Sequence, residues 1–434
     1  MSEYSITALC SAINYGNIPL VNKILLSGID INSACNNPVE LFNPLYSAVL
    51  CNNRKIIKLL IEYGVDLNKE SEVNGSIIHI SIFKSIKTLK LLLRHGANPN
   101  ICHKTLGTPL CYFLSMSDNT KIVKTLIDYG ADVNMPDSKN HTPLYKAICY
   151  NRNDDIIHLL LKNKANTNIN HDNGSLLHLA VCISRLFTVS MLLNYGADIN
   201  FTDFYGYPPL YRVAITNRKR ILRLLLERGA DPNIQSNLGR TPLHGAVLWM
   251  KPANVKMLLS FGADVNIADG NNQTPLSYIQ DADNDTALVL VSHICILAKL
   301  TRYSKNSGFM HNVNTVSCSK KLSHIRDTCN KEINKLSSVR LNNKYTLESF
   351  LTMEDNKILY KYIKHPNMNK LNGIIIYYDI IVENINKARR RYMLLENAID
   401  IIDNIVPMWR ILPIYTKWYI LESLSDNDLD LLVM

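Results

Sequence analysis

Imidazoles able to move a proton or hold a metal stand at His79, His178 and His244, in the dipeptides Ile78-His79, Leu177-His178 and Leu243-His244. Either chemistry requires several such groups to converge on one atom. These three occupy one slot of a repeating unit, so a repetitive fold spreads them along the molecule. The carboxylates behave likewise, because the acids of the Gly-Ala-Asp-x-Asn pentads are distributed one per unit and are not paired as acid and base. Ten cysteines are scattered with no Cys-x-x-Cys pair and no ligand-spaced grouping, which is the usage of a reducing compartment. No nucleophile elbow, phosphate-binding glycine loop, zincin motif or kinase signature occurs. The expectation is a protein that is not an enzyme, with no metal and no cofactor.

What must position these residues is a period. The pentad or a close relative recurs eight times, from Gly28-Ile-Asp-Ile-Asn32 to Gly262-Ala-Asp-Val-Asn266, and its final asparagines lie 36, 32, 34, 34, 32, 33 and 33 residues apart. A fixed spacing of this size marks a stack of units and not a single core. In phase with it run Thr108-Pro-Leu110, Thr142-Pro-Leu144, Pro208-Pro-Leu210, Thr241-Pro-Leu243 and Thr274-Pro-Leu276, with weaker copies at Thr7, Asn43, Ser76 and Ser175. A hydroxyl ahead of Pro starts a helix, since the oxygen accepts an orphan amide while Pro surrenders no needed donor. An apolar block such as Ile56-Ile-Lys-Leu-Leu-Ile61 supplies a second helix with one buried stripe. The pentad Gly then gives a left-handed residue past the helix end. Nine helix-turn-helix units with short hairpin loops follow, an all-α solenoid.

The run Gly239-Arg-Thr-Pro-Leu-His-Gly-Ala-Val247, followed by Val255-Lys-Met-Leu-Leu-Ser-Phe-Gly-Ala-Asp-Val-Asn266, resembles the ankyrin repeat. That resemblance covers residues 1–300, with the ninth unit as a cap, and implies that the Leu-His histidine is a structural hydrogen-bonding element. It also places binding at the loop tips and concave face. There the tip Phe201-Thr-Asp-Phe-Tyr-Gly-Tyr207 carries four aromatics where sister tips are polar. Phe204, Tyr205, Tyr207 and Trp249 are the candidate target-binding residues, as anchors of an interface or as rings packed on a neighbouring repeat.

The chain has 434 residues and a net charge of +10. Ten Lys or Arg against Asp327 and Glu332 are concentrated between Lys299 and Lys344, nine of them within a helical connector at 301–345. These basic residues are spread out and lack interleaved aromatics, which favours solvated helix faces over a nucleic acid track. Lys387-Ala-Arg-Arg-Arg391 reads as a charged helix face or as a nuclear import patch. The apolar stretch Ala287 to Leu300 is too short to span a bilayer, and the N-terminus has no basic region of the signal-peptide kind. The expected location is the cytoplasm, without membrane partners.

The last segment, 346–434, ends in a second motif at 411–432: Leu412-Pro413, then Ile420-Leu-Glu-Ser-Leu424, then Ser425-Asp-Asn-Asp-Leu-Asp-Leu-Leu432. Physically it reads as two short helices. Pro413 starts the first, with Ile414, Trp418 and Leu421 on its apolar face, and Ser425 with Asp428 caps the second. It looks like the opening of an F-box, although Tyr415 stands where F-boxes often carry an acid. Ankyrin repeats followed by such a tail resemble the poxviral ankyrin proteins with a PRANC domain. The stretches Cys329-Asn-Lys-Glu-Ile333, Leu347-Glu-Ser-Phe-Leu351, Tyr377-Tyr-Asp-Ile-Ile381 and Arg390-Arg-Tyr-Met-Leu-Leu395 read like that domain's helices. The resemblance implies an adaptor-binding face of Leu412, Pro413, Ile420, Leu421, Leu424 and Leu429, docking the adaptor subunit of a host SCF-type ubiquitin ligase. It also implies an unidentified host target captured by the repeats, either for ubiquitination or for simple sequestration.

Overall fold

The computed structural model describes residues 4–32, 43–171, 174–279, 285–300, 305–353, 356–371, 374–405, 417, 420–421 and 424–433. Thr108, Thr142 and Thr241 start helices as their chemistry dictates: each side-chain oxygen accepts an amide three residues on, from Cys111, Tyr145 and His244, with Pro at the first helical position. In the first unit the cap is Ser5 and not Thr7, because Ser5 accepts from the Ala8 amide at 3.2 Å and Thr7 lies inside the helix.

The chain divides into two units, Met1–Asn237 and Leu238–Met434. The first holds seven helix pairs: α1 (Ile6–Asn14) and α2 (Ile18–Leu26), α3 (Pro44–Leu50) and α4 (Arg54–Glu62), α5 (Ile77–Ser81) and α6 (Ile86–Arg94), α7 (Pro109–Met116) and α8 (Thr120–Asp128), α9 (Pro143–Cys149) and α10 (Asp154–Lys162), α11 (Leu176–Ile183) and α12 (Leu186–Asn194), α13 (Pro209–Ala214) and α14 (Lys219–Glu227). A two-residue ladder, Asn170–His171 against Gly174–Ser175, forms one of the hairpin stems. Apolar side chains at i, i+3 and i+4 point inward on each second helix. In α4, Ile56, Ile57 and Leu60 have no exposed surface, while Lys55 and Lys58 lie on the open side.

The pentad glycines adopt the left-handed backbone expected of them, and Lys164, which replaces one, is held at φ +65°. The final Asn ties one loop to the next. Asn100 donates from Nδ2 to Gly130 O at 2.8 Å and accepts the Asp132 amide on Oδ1 at 2.7 Å. Asn134 makes the same pair with Lys164 O and the Asn166 amide, and Asn32, Asn68 and Asn168 repeat it. The period thus has a physical cause, since each of these five asparagines satisfies two backbone groups of the next loop, and Asn200 accepts the Asp231 amide.

The second unit continues with α15 (Pro242–Leu248) and α16 (Pro252–Ser260), then a single 3₁₀ turn, Pro275–Tyr278, and α17 (Asp285–Leu297). Among the described residues there follow α18 (Ser307–Cys318), α19 (Lys320–Ser338), α20 (Ser349–Thr352), α21 (Asn356–Tyr362), a 3₁₀ helix at Pro366–Leu371 and the long α22 (Tyr378–Ile405), before the tail helix α23 (Asp426–Val433). Here the last pentad asparagine, Asn266, meets a helix in place of another loop. Asn312 of α18 donates to Asn266 Oδ1 and to Val265 O, both at 3.1 Å, and accepts the Thr274 hydroxyl at 2.5 Å. Gly308 makes this seat possible, because a Cβ there would stand 1.8 Å from Asn266 O. The capping role expected of the ninth unit is therefore shared with α18, a helix of the segment read as connector. Glu332 of α19, itself buried, accepts the Ile375 and Ile376 amides at 3.0 and 2.9 Å and ties down the strand of chain ahead of α22. Among the described residues, no helix is long and apolar enough to cross a membrane.

Candidate functional site

The tip of the sixth unit is built on Asp203. Its Oδ1 accepts the amides of Tyr205 and Tyr207, both at 2.9 Å, and its Oδ2 receives Arg212 at 2.6 Å. Gly206 completes the turn at φ +78°, where an added Cβ would lie 2.6 Å from Asn237 Oδ1. Asn237 then bonds both neighbours, donating its amide to Tyr205 O and Nδ2 to Phe204 O at 3.0 Å. With the backbone held on every side, the rings of Phe204 and Tyr205 project, 84% and 61% exposed, edge to face at 5.4 Å. Beside them lies a hollow of about 390 Å³ lined by Asn140, His141, His171 and Thr202, among others. An aromatic pair on a fixed backbone loses little conformational entropy on binding, which is what an interface anchor requires. Tyr207 differs. It is half-buried, its ring packs on Tyr211 at 4.0 Å, and Arg212 lies over it. Trp249, in the second unit, ends α15 with 60% of its surface exposed beside an equally exposed Met250.

The three candidate imidazoles are joints. His79 Nδ1 accepts the Ser76 amide at 3.0 Å, and Nε2 bonds Gly107 O of the next unit at 2.9 Å. His178 repeats this with Ser175 and Tyr207 O, and His244 with Thr241 and Gln273 O. Burial lowers all three from the ordinary imidazole value, His79 to about 4. They are neutral at physiological pH and closed off from any substrate. The acids that matter structurally are Asp137, Asp203 and Asp269, spaced 66 residues apart and not remarked among the pentad acids. Each carboxylate clamps its own tip. For Asp137, burial raises the carboxyl, but the Lys146 ammonium and the His141 and Lys139 amides outweigh it and hold the group below the carboxylate range. The signal that could have found them is this doubled period.

In the tail, Leu412 and Pro413 lie outside the described residues, as do Ile414 and Trp418. Leu421 and Leu429 point inward, 2% and 0% exposed, and fill one core with Leu394, Leu395, Ala398 and Ile399 of α22. Leu424 packs against the same core and is partly buried. Ile420 faces out at 43% exposure, joined on the tail by Leu431 at 74%. The Ser425–Asp428 cap forms as its spacing requires, with reciprocal bonds of 3.0 and 3.2 Å. The basic cluster has its partners here. Arg390 pairs with Asp430 and Arg391 with Asp426, both at 2.6 Å, while Lys387 reaches Glu383 at 3.1 Å. A charged helix face gripping the tail is what the geometry favours for it.

Stacked helix pairs joined by a recurring backbone clamp and carrying varied tips define a protein-interaction scaffold. Sequence comparison places it further. The ankyrin repeats profile (3 copies) matches residues 2–71, 77–173, 149–236, 177–269 and 213–299, and the PRANC domain profile matches 342–434. The chain belongs to the ankyrin-repeat proteins, in the poxviral group that carries a C-terminal, F-box-like PRANC domain. It is similar to the ankyrin repeat protein FPV233 of Fowlpox virus (strain NVSL), 32% identical over 147 residues that make up 32% of this chain and 29% of the relative. FPV024 of the same virus is 34% identical over 262 residues, 58% of this chain and 43% of that protein. The chain therefore spans less than half the length of these two relatives. Proteins of this repeat class are in general interaction modules and not enzymes.

Proposed function

We propose that the chain is a non-enzymatic receptor in the host cytoplasm. Its repeats capture a host protein, and its F-box-like tail recruits the adaptor subunit of a host SCF-type cullin-RING ubiquitin ligase, altering host defence or host range. Holding both partners on one chain raises the effective concentration of one beside the other. The observation that carries this reading is the tail itself: a PRANC segment whose inward leucines build a core on α22 while Ile420 and Leu431 stay exposed. Leu421 and Leu429 support the docking face from beneath and Ile420 and Leu431 form its contact surface, while the F-box resemblance adds Leu412 and Pro413 to the adaptor-binding residues. On the repeats, Phe204 and Tyr205 anchor the target, with Trp249 as a separate contact.

The test is affinity purification and mass spectrometry of the intact chain beside Ile420→Asp/Leu431→Asp and Phe204→Ser/Tyr205→Ser. Exposed positions are chosen because ending the chain before the tail would uncover the α22 core. The tail variant is expected to lose the ligase subunits and keep the target, and the tip variant the reverse. A tail variant with an unchanged partner list would overturn the receptor reading and leave an ankyrin decoy that sequesters its target.

A further inference from the structure

A groove runs between α4 and α6 on the second-helix side of units two and three. Its volume is about 770 Å³, and its ten lining residues include six cations: Arg54, Lys55, Lys58, Lys87, Lys90 and Arg94. All six are exposed, no carboxylate lines the groove, and none of the six is ion-paired among the described residues. Second helices elsewhere in this unit pack closely, α2 on α4 and α6 on α8, but α4 and α6 do not pack as closely. The rows Lys55/Lys58 and Lys87/Lys90 line one groove with no carboxylate among its lining residues, so like charges are left side by side there. Both helices also begin at the same end of the groove, and their N-terminal dipoles add positive potential there.

We propose that this groove binds an acidic polypeptide segment. The proposal rests on the capture of a host protein by the repeats and names the chemistry of the segment captured. Three features favour a polypeptide. The walls are nine-residue helices, about 13 Å long, which matches about four residues of extended chain. Leu91, half-buried, and Cys51 give the groove apolar surface for side chains between carboxylates. No aromatic residue lines it, so nothing stacks on nucleotide bases.

The probe is a fluorescein-labelled peptide of repeating Asp-Glu-Leu, titrated with the full chain by fluorescence anisotropy at low and at physiological salt. Duplex and single-stranded DNA of equal charge serve as competitors. Lys55→Glu/Lys58→Glu/Lys87→Glu/Lys90→Glu is compared with Lys320→Glu/Lys331→Glu/Lys335→Glu/Lys344→Glu, an equal charge change in the second unit. The groove variant is expected to weaken peptide binding on the order of a hundredfold, from four lost or reversed ion pairs. The second variant should bind within a few-fold of the parent. Equal weakening by both charge variants, no weakening by either, or tighter binding of either DNA would overturn the proposal. Should the groove variant fail to fold, lysine acylation of the unaltered chain decides: the peptide must protect Lys55, Lys58, Lys87 and Lys90 and leave Lys331 and Lys335 reactive. Loss of the groove arm alone leaves the receptor reading standing, since target capture through Phe204 and Tyr205 is measured separately.

Discussion

Acid should loosen this protein at its histidine joints before it touches the carboxylates. At His79 the neutral ring accepts the Ser76 amide on Nδ1 and donates from Nε2 to Gly107 O. A proton on Nδ1 would face the Ser76 N–H donor to donor and break the helix cap. Burial lowers the group from 6.5 to about 4, so the unfolded chain binds the proton more readily than the folded one. The stabilisation is therefore complete above pH 6.5 and lost as pH falls toward 4. At about 1.4 kcal/mol per unit, a shift of this size is worth on the order of 3 kcal/mol, and His178 and His244 act in the same direction. Asp137 and Asp269, held below the usual carboxylate value of 3.8, respond only at lower pH. The window between about pH 6.5 and 4.5 thus isolates the imidazoles. His79→Gln separates titration from packing, because Gln at this helix position can still reach back to the cap amide. The variant should lose about 1–2 kcal/mol at neutral pH with its bond to Gly107, yet show the shallower decline on acidification. Urea unfolding followed by far-ultraviolet circular dichroism across that window measures both. Parallel pH profiles for parent and variant would refute the reasoning.

Two further substitutions probe the backbone clamps. Lys164→Gly should raise the thermal midpoint slightly: relief of left-handed strain, about 1–2 kcal/mol, exceeds the about 0.4–1 kcal/mol of added unfolded-chain entropy. A lowered midpoint would show that the lysine side chain holds its loop. Asn134→Ala removes two bonds to the next loop and should cost about 2 kcal/mol, whereas Asn134→Asp keeps the acceptor and should cost roughly half. Faster hydrogen exchange of the Asn166 amide in the Ala variant alone is the local readout, and equal exchange in both variants would contradict the division of labour.

Whatever depends on neighbours in sequence was legible from sequence. Thr108, Thr142 and Thr241 announce their helices because cap and amide lie three residues apart, and the pentad glycines announce their backbone because only one residue type takes it cheaply. The role of the pentad asparagine is not legible locally, because its partners, such as Gly130 O for Asn100, lie 30 residues on. The α18 seat on Asn266 was hidden for a related reason: it breaks the period, and nothing in Gly308 itself foretells the carbonyl it must accommodate. Charge was legible as a total and misleading as a map. Arg390 and Arg391 looked free in sequence and are spent on Asp430 and Asp426, while the six cations of the α4–α6 groove come from stretches 32 residues apart that neither alone stands out. At the candidate site, Phe204 and Tyr205 project and Tyr207 does not, a difference set by the Tyr211 ring one turn downstream.

The asparagine clamp makes the joints of the first unit interchangeable. Each clamp asks the incoming loop only for a main-chain carbonyl and an amide, a pair that every residue but proline can supply, so this bond does not depend on what the next tip carries. Lys164 shows the tolerance directly, offering the same carbonyl to Asn134 that glycine offers elsewhere. A gene encoding such a chain can duplicate, delete or exchange whole units by recombination in register and keep this clamp at each new joint. The tip then becomes the variable part of a standard fitting, and new targets can be sampled at almost no risk to the fold.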